Sequence, residues 1–424
     1  FSDPNVAKPL NVGHFRTTII GQTLANLYRW QGFDVVTVNH LGDWGTQFGK
    51  LLVAQQYWGN QEKDLFRLYV RFHEEAEKNP ALEDEARAAF TQLERGDEKY
   101  HAIWQKITDD SVAEFNNIYN ELGVKFDHIT GESFYRDKVA AAVQEALDKN
   151  VATRSEGAIV VLEEKTDLPT FVIQKKDESS IYAGRDLAAA KYRLTTWQPE
   201  KIIYVVGSEQ TLHFKQLFKT LALMGYDREK FVHVPLGLVI LPEGKMSTRK
   251  GKVVLLTEVL RQALEKANGD KIIGYGALIY NALATATEKS VVFDWQKMLS
   301  MEGASGSYLQ YGYVRAKSIL QKSGGLTTYD AVNIDLLTPT EGKLIFLLSQ
   351  FPEICRQAQL QNAPHLLAHY LNNLVQLFNR FYTNHSVLNA QSAARAFRLR
   401  LVAAFAQVME NGCSLLQIGR PEKM

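Results

Sequence analysis

Two short segments combine glycine with basic or imidazole side chains, a combination suited to binding phosphate. The first, Asn5–His14, joins an extended segment to a helix, where unpaired backbone N–H groups and the helix dipole attract anions. Within it, Gly13 lets a flat ligand approach the backbone, His14 offers a hydrogen-bond donor and Lys8 a positive charge. The segment predicts a nucleotide-binding turn. The alternative is a plain strand–helix turn with a surface histidine.

The second segment, Gly244–Gly251, follows an apolar strand and holds Lys245, Arg249 and Lys250 between its glycines. A glycine-flanked loop with lysine and arginine side chains can close over a polyphosphate and neutralise its charge. The segment therefore predicts a second phosphate-binding element. The alternative is a solvated basic loop without a ligand.

The elements that must position these segments alternate between helix and strand. An apolar stripe predicts a helix over Thr17–Trp30, and the β-branched run Phe33–Val38 predicts a buried parallel strand after it. Later in the chain, strands are predicted over 201–206 and 231–241, with a helix over 211–225 between them. This alternation favours a parallel sheet with a ligand crevice at the carboxyl ends of its strands.

Other regions interrupt the alternation. A charged, mostly helical stretch precedes short predicted strands over 158–162, 170–174 and 181–182. After Thr257 strands nearly vanish, and helical stripes, including a single helix over 341–358, predict an all-α bundle. The predicted units are 1–60 and 181–256 as two halves of one α/β domain, 61–180 as a helical and mixed insertion, 257–300 as a helical connection and 301–424 as the bundle.

Composition excludes several classes of protein. The chain has 48 Lys plus Arg against 47 Asp plus Glu, so its net charge does not indicate a nucleic-acid-binding protein. The part after Met301 is nevertheless mildly basic. Cys355 and Cys413 lie in apolar helical patterns without a CxxC pair, which argues against a disulfide framework or a zinc site. No apolar run is long enough for a membrane span. We expect a cytoplasmic monomer without a bound metal.

Asn11–His14 (N-V-G-H) and Lys245–Arg249 (K-M-S-T-R) together resemble the HIGH and KMSKS signatures of class I aminoacyl-tRNA synthetases in order, spacing and context. Further segments resemble arginyl-tRNA synthetases in particular; they are Phe1–Pro9, His40–Gly49, Tyr182–Ala188, Gln210–Phe214, Tyr308–Tyr311 and Pro421–Met424. The resemblance covers essentially the whole chain. It implies a Rossmann-like parallel-sheet catalytic domain with an inserted domain, followed by an all-α anticodon-binding bundle.

The resemblance also implies an activity, that of an arginine–tRNA ligase. Arginine carboxylate would attack the α-phosphorus of ATP and release pyrophosphate, and the 3′ end of tRNA(Arg) would then take the arginyl group. Such chemistry needs alignment and stabilisation of phosphate charge rather than a protein nucleophile. The implied partners are L-arginine, tRNA(Arg) and ATP with Mg²⁺, with arginine activated only when tRNA is bound.

The roles of individual residues are carried over from matching motif positions. The catalytic residues are Lys8, Asn11, His14 and Lys245, and the ATP contacts are Gly13, His14, Lys245, Met246 and Ser247. A guanidinium requires a forked carboxylate, which the resemblance assigns to Asp186, aided by Tyr182. Asn5 and Gln210 would hold the α-amino and carboxylate end. From the residues alone, Asp186 could instead cap the following helix and Tyr182 could be a core aromatic.

In the helical bundle, unpaired bases of tRNA could stack on aromatic side chains, and arginine could meet phosphates. Tyr311, Tyr382 and Phe381 are the candidate aromatics, and Arg380 is the candidate phosphate contact. The alternative for each aromatic is a place in the core.

The chain departs from the family pattern at several positions. Asn11 replaces the first histidine of HIGH, and an amide can donate a hydrogen bond but cannot carry charge, so reduced activity is expected. Thr248 replaces the second lysine of KMSKS, and Gly184 replaces a threonine. The family has an acidic residue immediately before the position of Phe1, and a domain before that, so we expect a preceding segment. The alternatives are a truncated synthetase-like protein without charging activity, and a class I synthetase for another amino acid.

Overall fold

The structure, a computed structural model, describes residues 1–176, 181–240, 254–292, 303–324 and 337–424. Up to residue 176 its elements are α1 (Val12–Trp30), β1 (Val38–Asn39), α2 (Thr46–Trp58), α3 (Leu65–Lys78), α4 (Ala81–Glu94), α5 (Glu98–Leu122), β2 (His128–Ile129), α6 (Glu132–Asp148), β3 (Thr153–Ser155), β4 (Ala158–Val161), α7 (Glu163–Thr166) and β5 (Phe171–Gln174). The later elements are α8 (Tyr182–Trp197), β6 (Ile202–Gly207), α9 (Thr211–Leu223), β7 (Phe231–Leu236), β8 (Val239–Ile240), α10 (Leu256–Lys266), α11 (Lys271–Ala284), β9 (Val291–Val292), α12 (Gly306–Lys322), α13 (Pro339–Ser349), α14 (Phe351–Leu360), α15 (Pro364–Asn384) and α16 (Ser392–Leu415).

The first helix, α1, begins one residue after Asn11 because that side chain caps it. The Asn11 Oδ1 atom accepts hydrogen bonds from the backbone N–H groups of Gly13 and His14, at 2.8 and 3.2 Å. Asparagine is among the residues best suited to this position. The predicted start at Thr17 is therefore wrong, and the phosphate-binding candidate lies within the first turn of the helix. α1 packs against β6 and α11.

Parallel strand pairs form the α/β part of the fold. β6 pairs with β7, from Ile202 opposite Phe231 to Gly207 opposite Leu236. The short pairs β1–β2 and β8–β9 are parallel as well, whereas β3, β4 and β5 form an antiparallel sheet. The predicted strands over 201–206 and 231–241 are confirmed in outline up to residue 240, because β6, β7 and β8 cover most of those ranges; residue 241 lies outside the described residues.

The predicted strand over Phe33–Val38 is wrong in most of its length. Only Val38 is in a strand, at the start of β1, and the side chains of Phe33 and Val36 are 42 % and 41 % exposed. Phe33 instead packs edge-on against the ring of Tyr28, with the ring centroids 5.4 Å apart. A run of β-branched and aromatic residues indicated burial on both faces, but this segment is a surface connection.

The helical character predicted for residues 60–150 is confirmed, because α3 to α6 occupy most of that stretch, and α2, just before it, packs against α3 and α4. The predicted strand over 181–182 is wrong, because Tyr182 opens α8 and Ile181 occupies its N-cap position. α8 lies against α6 and β5. The contact is close at Gly184, where an added Cβ would lie 2.4 Å from the Ile173 carbonyl oxygen. The absence of a side chain at Gly184 thus has a packing reason.

The C-terminal bundle is built from α12 to α16, with α12 packed against α15 and α16. The single helix predicted over 341–358 is wrong, because it is divided into α13 and α14 at Gln350. Pro352 occupies the first turn of α14, where its missing N–H is tolerated, although within a continuous helix it would break a hydrogen bond. The buried stripe of α15, including Leu371 and Phe378, is confirmed.

A continuous apolar core joins α1, the helical insertion and the bundle, and a second core lies between α6, α8, α9 and the strands β4 to β7. Within the ranges given above, no helix combines the length and the apolarity needed to cross a bilayer. How the elements divide into the five predicted units stays a prediction.

Candidate functional site

The first turn of α1 fixes the protonation and direction of His14. The Nδ1 atom of His14 accepts a hydrogen bond of 3.1 Å from the Asn11 backbone N–H group. Burial lowers the pKa of His14 to about 4; nearby Asp3 opposes this shift and Lys8 adds to it. At neutral pH the ring is therefore neutral, and its one proton must lie on Nε2. The turn thus presents a neutral N–H donor, of the kind that can meet a phosphate oxygen.

The expectation of unpaired backbone N–H groups at this turn is wrong for Gly13 and His14. Both groups already donate to Asn11 Oδ1, and an added Cβ on Gly13 would lie 3.0 Å from the same oxygen. The amide in place of the first histidine of HIGH therefore has a local structural role. With Oδ1 engaged by the helix, the Nδ2 group of Asn11 is the part suited to donate to a ligand.

Lys8 is half-buried, and its ammonium group lies 4.9 Å from the centroid of the Tyr69 ring. Tyr69 belongs to α3, so the helical insertion contributes to the surroundings of this cation. A lysine ammonium over an aromatic ring is attracted electrostatically to the face of the ring. Lys8 and His14 are also close enough for the lysine to influence the imidazole.

Lys245, Met246 and Ser247 lie outside the described residues, but the chain that follows them is described. The backbone N–H of Val12 donates to the Val254 carbonyl at 3.4 Å, and that of Leu256 donates to the Leu10 carbonyl at 2.8 Å. The chain leaving the second glycine-flanked segment is therefore bonded to the turn that carries His14.

Arg16, on α1, was not identified from the sequence. It links this helix to two distant backbone segments. It is 2 % exposed, and its guanidinium donates to the carbonyl oxygens of Gly237, at 2.6 Å, and Ala286, at 3.1 Å. Burial lowers the pKa of Arg16 to about 10, against the opposing effect of Glu288, so it is still charged at neutral pH. The available signal was its position four residues before Ile20, in line with the apolar stripe of the helix predicted from Thr17.

The Asp186 carboxylate lies among imidazoles. Its Oδ2 accepts from the His213 Nε2 atom at 2.7 Å, and its Oδ1 is 3.7 Å from the His40 Nε2 atom. Burial alone would raise the pKa of Asp186, but the hydrogen bond from His213, together with the nearby His40 ring and the positive charge of Arg193, holds it below its usual value. The carboxylate is therefore ionised. It lies in the second turn of α8, so the interpretation of Asp186 as a helix cap is wrong.

Tyr182 is 54 % exposed, which contradicts its interpretation as a core aromatic. Its ring centroid is 4.9 Å from that of His213, so Tyr182 and Asp186 contact the same imidazole. Asn5 is exposed and forms a backbone bridge with Gly42, two residues after His40. The structure thus brings Tyr182 and Asp186 together and joins Asn5 to the segment that carries His40.

Gln210 lies immediately before α9, the helix that carries His213, and its side chain is exposed. In the described part of the chain it makes no hydrogen bond with Asn5, Tyr182 or Asp186. Gln210 is therefore connected to the other three predicted arginine contacts only by its position in the chain, immediately before the helix that carries His213.

A buried acidic group adjoins Asp186 and was missed by the sequence reasoning. Glu132 Oε2 pairs with Arg185 Nε at 2.8 Å, and Asp43 accepts from the backbone and hydroxyl of Ser133, at 2.8 and 2.6 Å. Burial raises the pKa of Glu132 to about 7 despite the opposing charge of Arg185, with Asp186 and Asp43 adding to the rise. The only signal was that Asp43 lies in one of the segments that resemble the family.

In the bundle, Arg315 organises two of the predicted tRNA contacts. Its guanidinium lies 4.5 Å from the Tyr311 ring centroid and 5.2 Å from that of Tyr382, and it donates to the Tyr311 hydroxyl at 2.7 Å. Tyr382 is 42 % exposed, whereas Phe381 is fully buried, so Phe381 is wrong as a stacking residue. A surface pocket of about 380 Å³ lies beside them; it is lined by Tyr308, Gln376, Asn379, Arg380, Thr383 and Asn384.

Comparisons with known proteins bear on the whole chain. The family model for the catalytic domain of "tRNA synthetases class I (R)" matches residues 1–274, and that for the "DALR anticodon binding domain" matches residues 309–424. Among curated relatives, the arginine–tRNA ligase of Clostridium beijerinckii is 44 % identical, over 100 % of this chain and 79 % of its own length. That of Halothermothrix orenii is 43 % identical with the same coverage.

Solved structures agree with these matches. Thermus thermophilus arginyl-tRNA synthetase superimposes with a TM-score of 0.84 at 26 % identity, over 99 % of this chain and 82 % of its own. The Plasmodium falciparum arginyl-tRNA synthetase gives a TM-score of 0.83 at 25 % identity, over 100 % and 76 %. The resemblance inferred from the sequence is confirmed, and the chain belongs to the class I arginyl-tRNA synthetase family.

Proposed function

We propose that the chain is an arginine–tRNA ligase, which activates arginine with ATP and transfers the arginyl group to the 3′ end of tRNA(Arg). The observation that carries the proposal is the Asp186 carboxylate, ionised and partly enclosed beside the exposed ring of Tyr182. Relatives named arginine–tRNA ligase align with all of the chain, which supports this function over a synthetase-like protein that charges no tRNA.

At the arginine end, the guanidinium would bind the Asp186 carboxylate through two parallel hydrogen bonds, a geometry suited to a planar, forked cation. His213 uses one lone pair of Oδ2, so one lone pair on each oxygen can still accept from the substrate. The Tyr182 hydroxyl would lie beside the same group. Asn5 and Gln210 would hold the α-amino and carboxylate end.

At the ATP end, the Nε2–H group of His14 and the charge of Lys8 would stabilise the phosphates, with Asn11 donating through its amide and Gly13 allowing close approach. Lys245, Met246 and Ser247 would act from the second segment. In-line attack by the arginine carboxylate then needs only alignment and charge stabilisation.

Mg²⁺ would accompany the nucleotide. It prefers phosphate and water oxygens with few protein ligands, and it would neutralise phosphate charge. Across the described ranges, no group of three or more His, Cys, Asp or Glu side chains is placed to hold a metal ion, so the residues present fit a cation held by ATP better than one held by a protein cage. We further propose a cytoplasmic monomer, which cell fractionation and light scattering would test.

The function predicts ATP–pyrophosphate exchange that requires both arginine and tRNA(Arg). If a forked carboxylate selects the substrate, an amino acid with any basic side chain is not enough for activation. Lysine should therefore support less than about one hundredth of the exchange rate measured with arginine. Radiolabelled pyrophosphate incorporation, measured with each amino acid, checks this. No exchange with arginine, or equal exchange with lysine, would contradict the proposal.

In the bundle, we propose that Tyr311 and Tyr382 stack on unpaired anticodon bases and that Arg380 contacts a phosphate. Arg380→Gln is expected to weaken tRNA binding about three- to tenfold and to lower the salt dependence by about one ion. Arg356→Gln is a matched control, because Arg356 is also exposed on the bundle but pairs with Glu353. Filter binding at several salt concentrations measures both; equal effects would remove Arg380 from the interface.

A further inference from the structure

His213 reaches Asp186 from a different element and is itself enclosed. It lies on α9, is 7 % exposed and donates to Asp186 Oδ2 at 2.7 Å. Its second ring nitrogen, Nδ1, is buried without a hydrogen-bonding partner among the residues that the structure describes. Placing a proton on that nitrogen would bury an N–H group and a charge without an acceptor, which is costly. The geometry therefore indicates a neutral ring that donates through Nε2.

His40, on the other side of Asp186, is neutral for a different reason. Its Nδ1 atom is 3.2 Å from Arg193 Nη2, and a guanidinium can only donate, so Nδ1 accepts and the proton lies on Nε2. That Nε2–H group is 3.7 Å from Asp186 Oδ1, which is too long for a hydrogen bond. Of the two imidazoles, only His213 fixes the orientation of the carboxylate.

We propose that His213 is a positioning residue that sets the plane of the Asp186 carboxylate and thereby selects a guanidinium over an ammonium group. The inference rests on the proposed role of Asp186 in binding arginine. The terminal torsion of an aspartate is broad, so a free carboxylate can rotate. A planar guanidinium requires both oxygens in its own plane, whereas a lysine ammonium is a point charge without this requirement.

The neutral state of His213 is part of the same proposed positioning role. A cationic imidazole at 2.7 Å would compensate the charge of Asp186 and compete with the substrate cation. A neutral donor occupies one lone pair of Oδ2 and leaves the negative charge for the ligand. His213 thus directs the carboxylate without neutralising it.

Two amide variants of His213 separate the effect of the hydrogen bond to Asp186 from the effect of a smaller side chain. In His213→Gln the amide nitrogen can occupy the place of the ring Nε2, whereas in His213→Asn it reaches only the place of Nδ1. His213→Gln should keep the KM for arginine within about fivefold. His213→Asn should raise it about 10- to 100-fold, the range for a lost hydrogen bond to a charged group, with KM for ATP and kcat within about threefold. Inhibition by L-lysine should change less than about threefold.

The assay is tRNA-dependent ATP–pyrophosphate exchange in the intact protein, with thermal melting of each variant and Asp186→Asn run in parallel. Equal KM values for arginine in the Gln and Asn variants would overturn the proposal, as would a matching rise in the KM for ATP, which indicates a purely structural role. If Asp186→Asn impairs arginine use but His213→Asn does not, only the role of His213 fails. If Asp186→Asn has no effect, the proposed arginine site and this inference fail together.

Discussion

Replacing Asp186 by asparagine is expected to lower kcat/KM for arginine by about 100- to 1000-fold in tRNA-dependent ATP–pyrophosphate exchange. The carboxylate is ionised, because the His213 hydrogen bond and nearby positive charge hold its pKa below the usual value despite burial. An asparagine keeps the size but replaces one acceptor oxygen with an N–H donor that faces the donors of the guanidinium. Removing one partner of a desolvated, hydrogen-bonded charge pair costs about 2–5 kcal/mol.

The selectivity of this loss distinguishes a binding role from general damage. The KM for ATP should change less than about threefold, because the nucleotide is proposed to bind at the start of α1. Asp148→Asn, at the exposed end of α6, removes the same charge from another helix and should leave all constants unchanged. An unaltered KM for arginine in Asp186→Asn would show that another group binds the guanidinium.

The proposed arginine site could be predicted only in part from the sequence, because its contacts join distant elements. Tyr182 and Asp186 lie four residues apart in one motif, and the sequence was sufficient to name them. The partners of Asp186 could not be named, since His213 is 27 residues later and His40 is 146 residues earlier. Glu132 lies in a helix that no phosphate or guanidinium pattern marks, and its raised pKa arises from burial, which sequence spacing does not report.

In the fold, too, features with a local cause could be predicted from the sequence, whereas features that depend on tertiary packing could not. Alternation of helix and strand was sufficient to predict the parallel pair β6–β7, because both strands are apolar and the helix between them has an apolar stripe. The short strands β2 and β9 were not predicted. The segment Phe33–Val38 has the composition of a strand but lies at the surface, since whether a strand finds a neighbour depends on tertiary packing. The break between α13 and α14 had a local signal, Pro352, that the apolar stripe concealed.

Replacing His14 by asparagine is expected to lower kcat of arginine activation by about 100-fold, the effect of removing one positioned donor to developing negative charge. The asparagine oxygen can take the place of ring Nδ1 and still accept from the Asn11 N–H group, so the helix start is kept. The donor at the position of Nε2 is lost. Rapid-quench measurement of adenylate formation, with saturating arginine and tRNA, isolates this step.

The matched variant His14→Gln reverses the exchange, because its amide nitrogen can donate from the position of Nε2 while the Nδ1 acceptor is missing. It should retain kcat within about tenfold of the parent protein. Since burial lowers the pKa of His14 to about 4, the ring is already neutral at pH 5, and the parent should show no loss of rate from this group between pH 5 and 8. Equal losses in both variants would mean that His14 acts through the start of α1, and a full rate in His14→Asn would remove it from phosphate stabilisation.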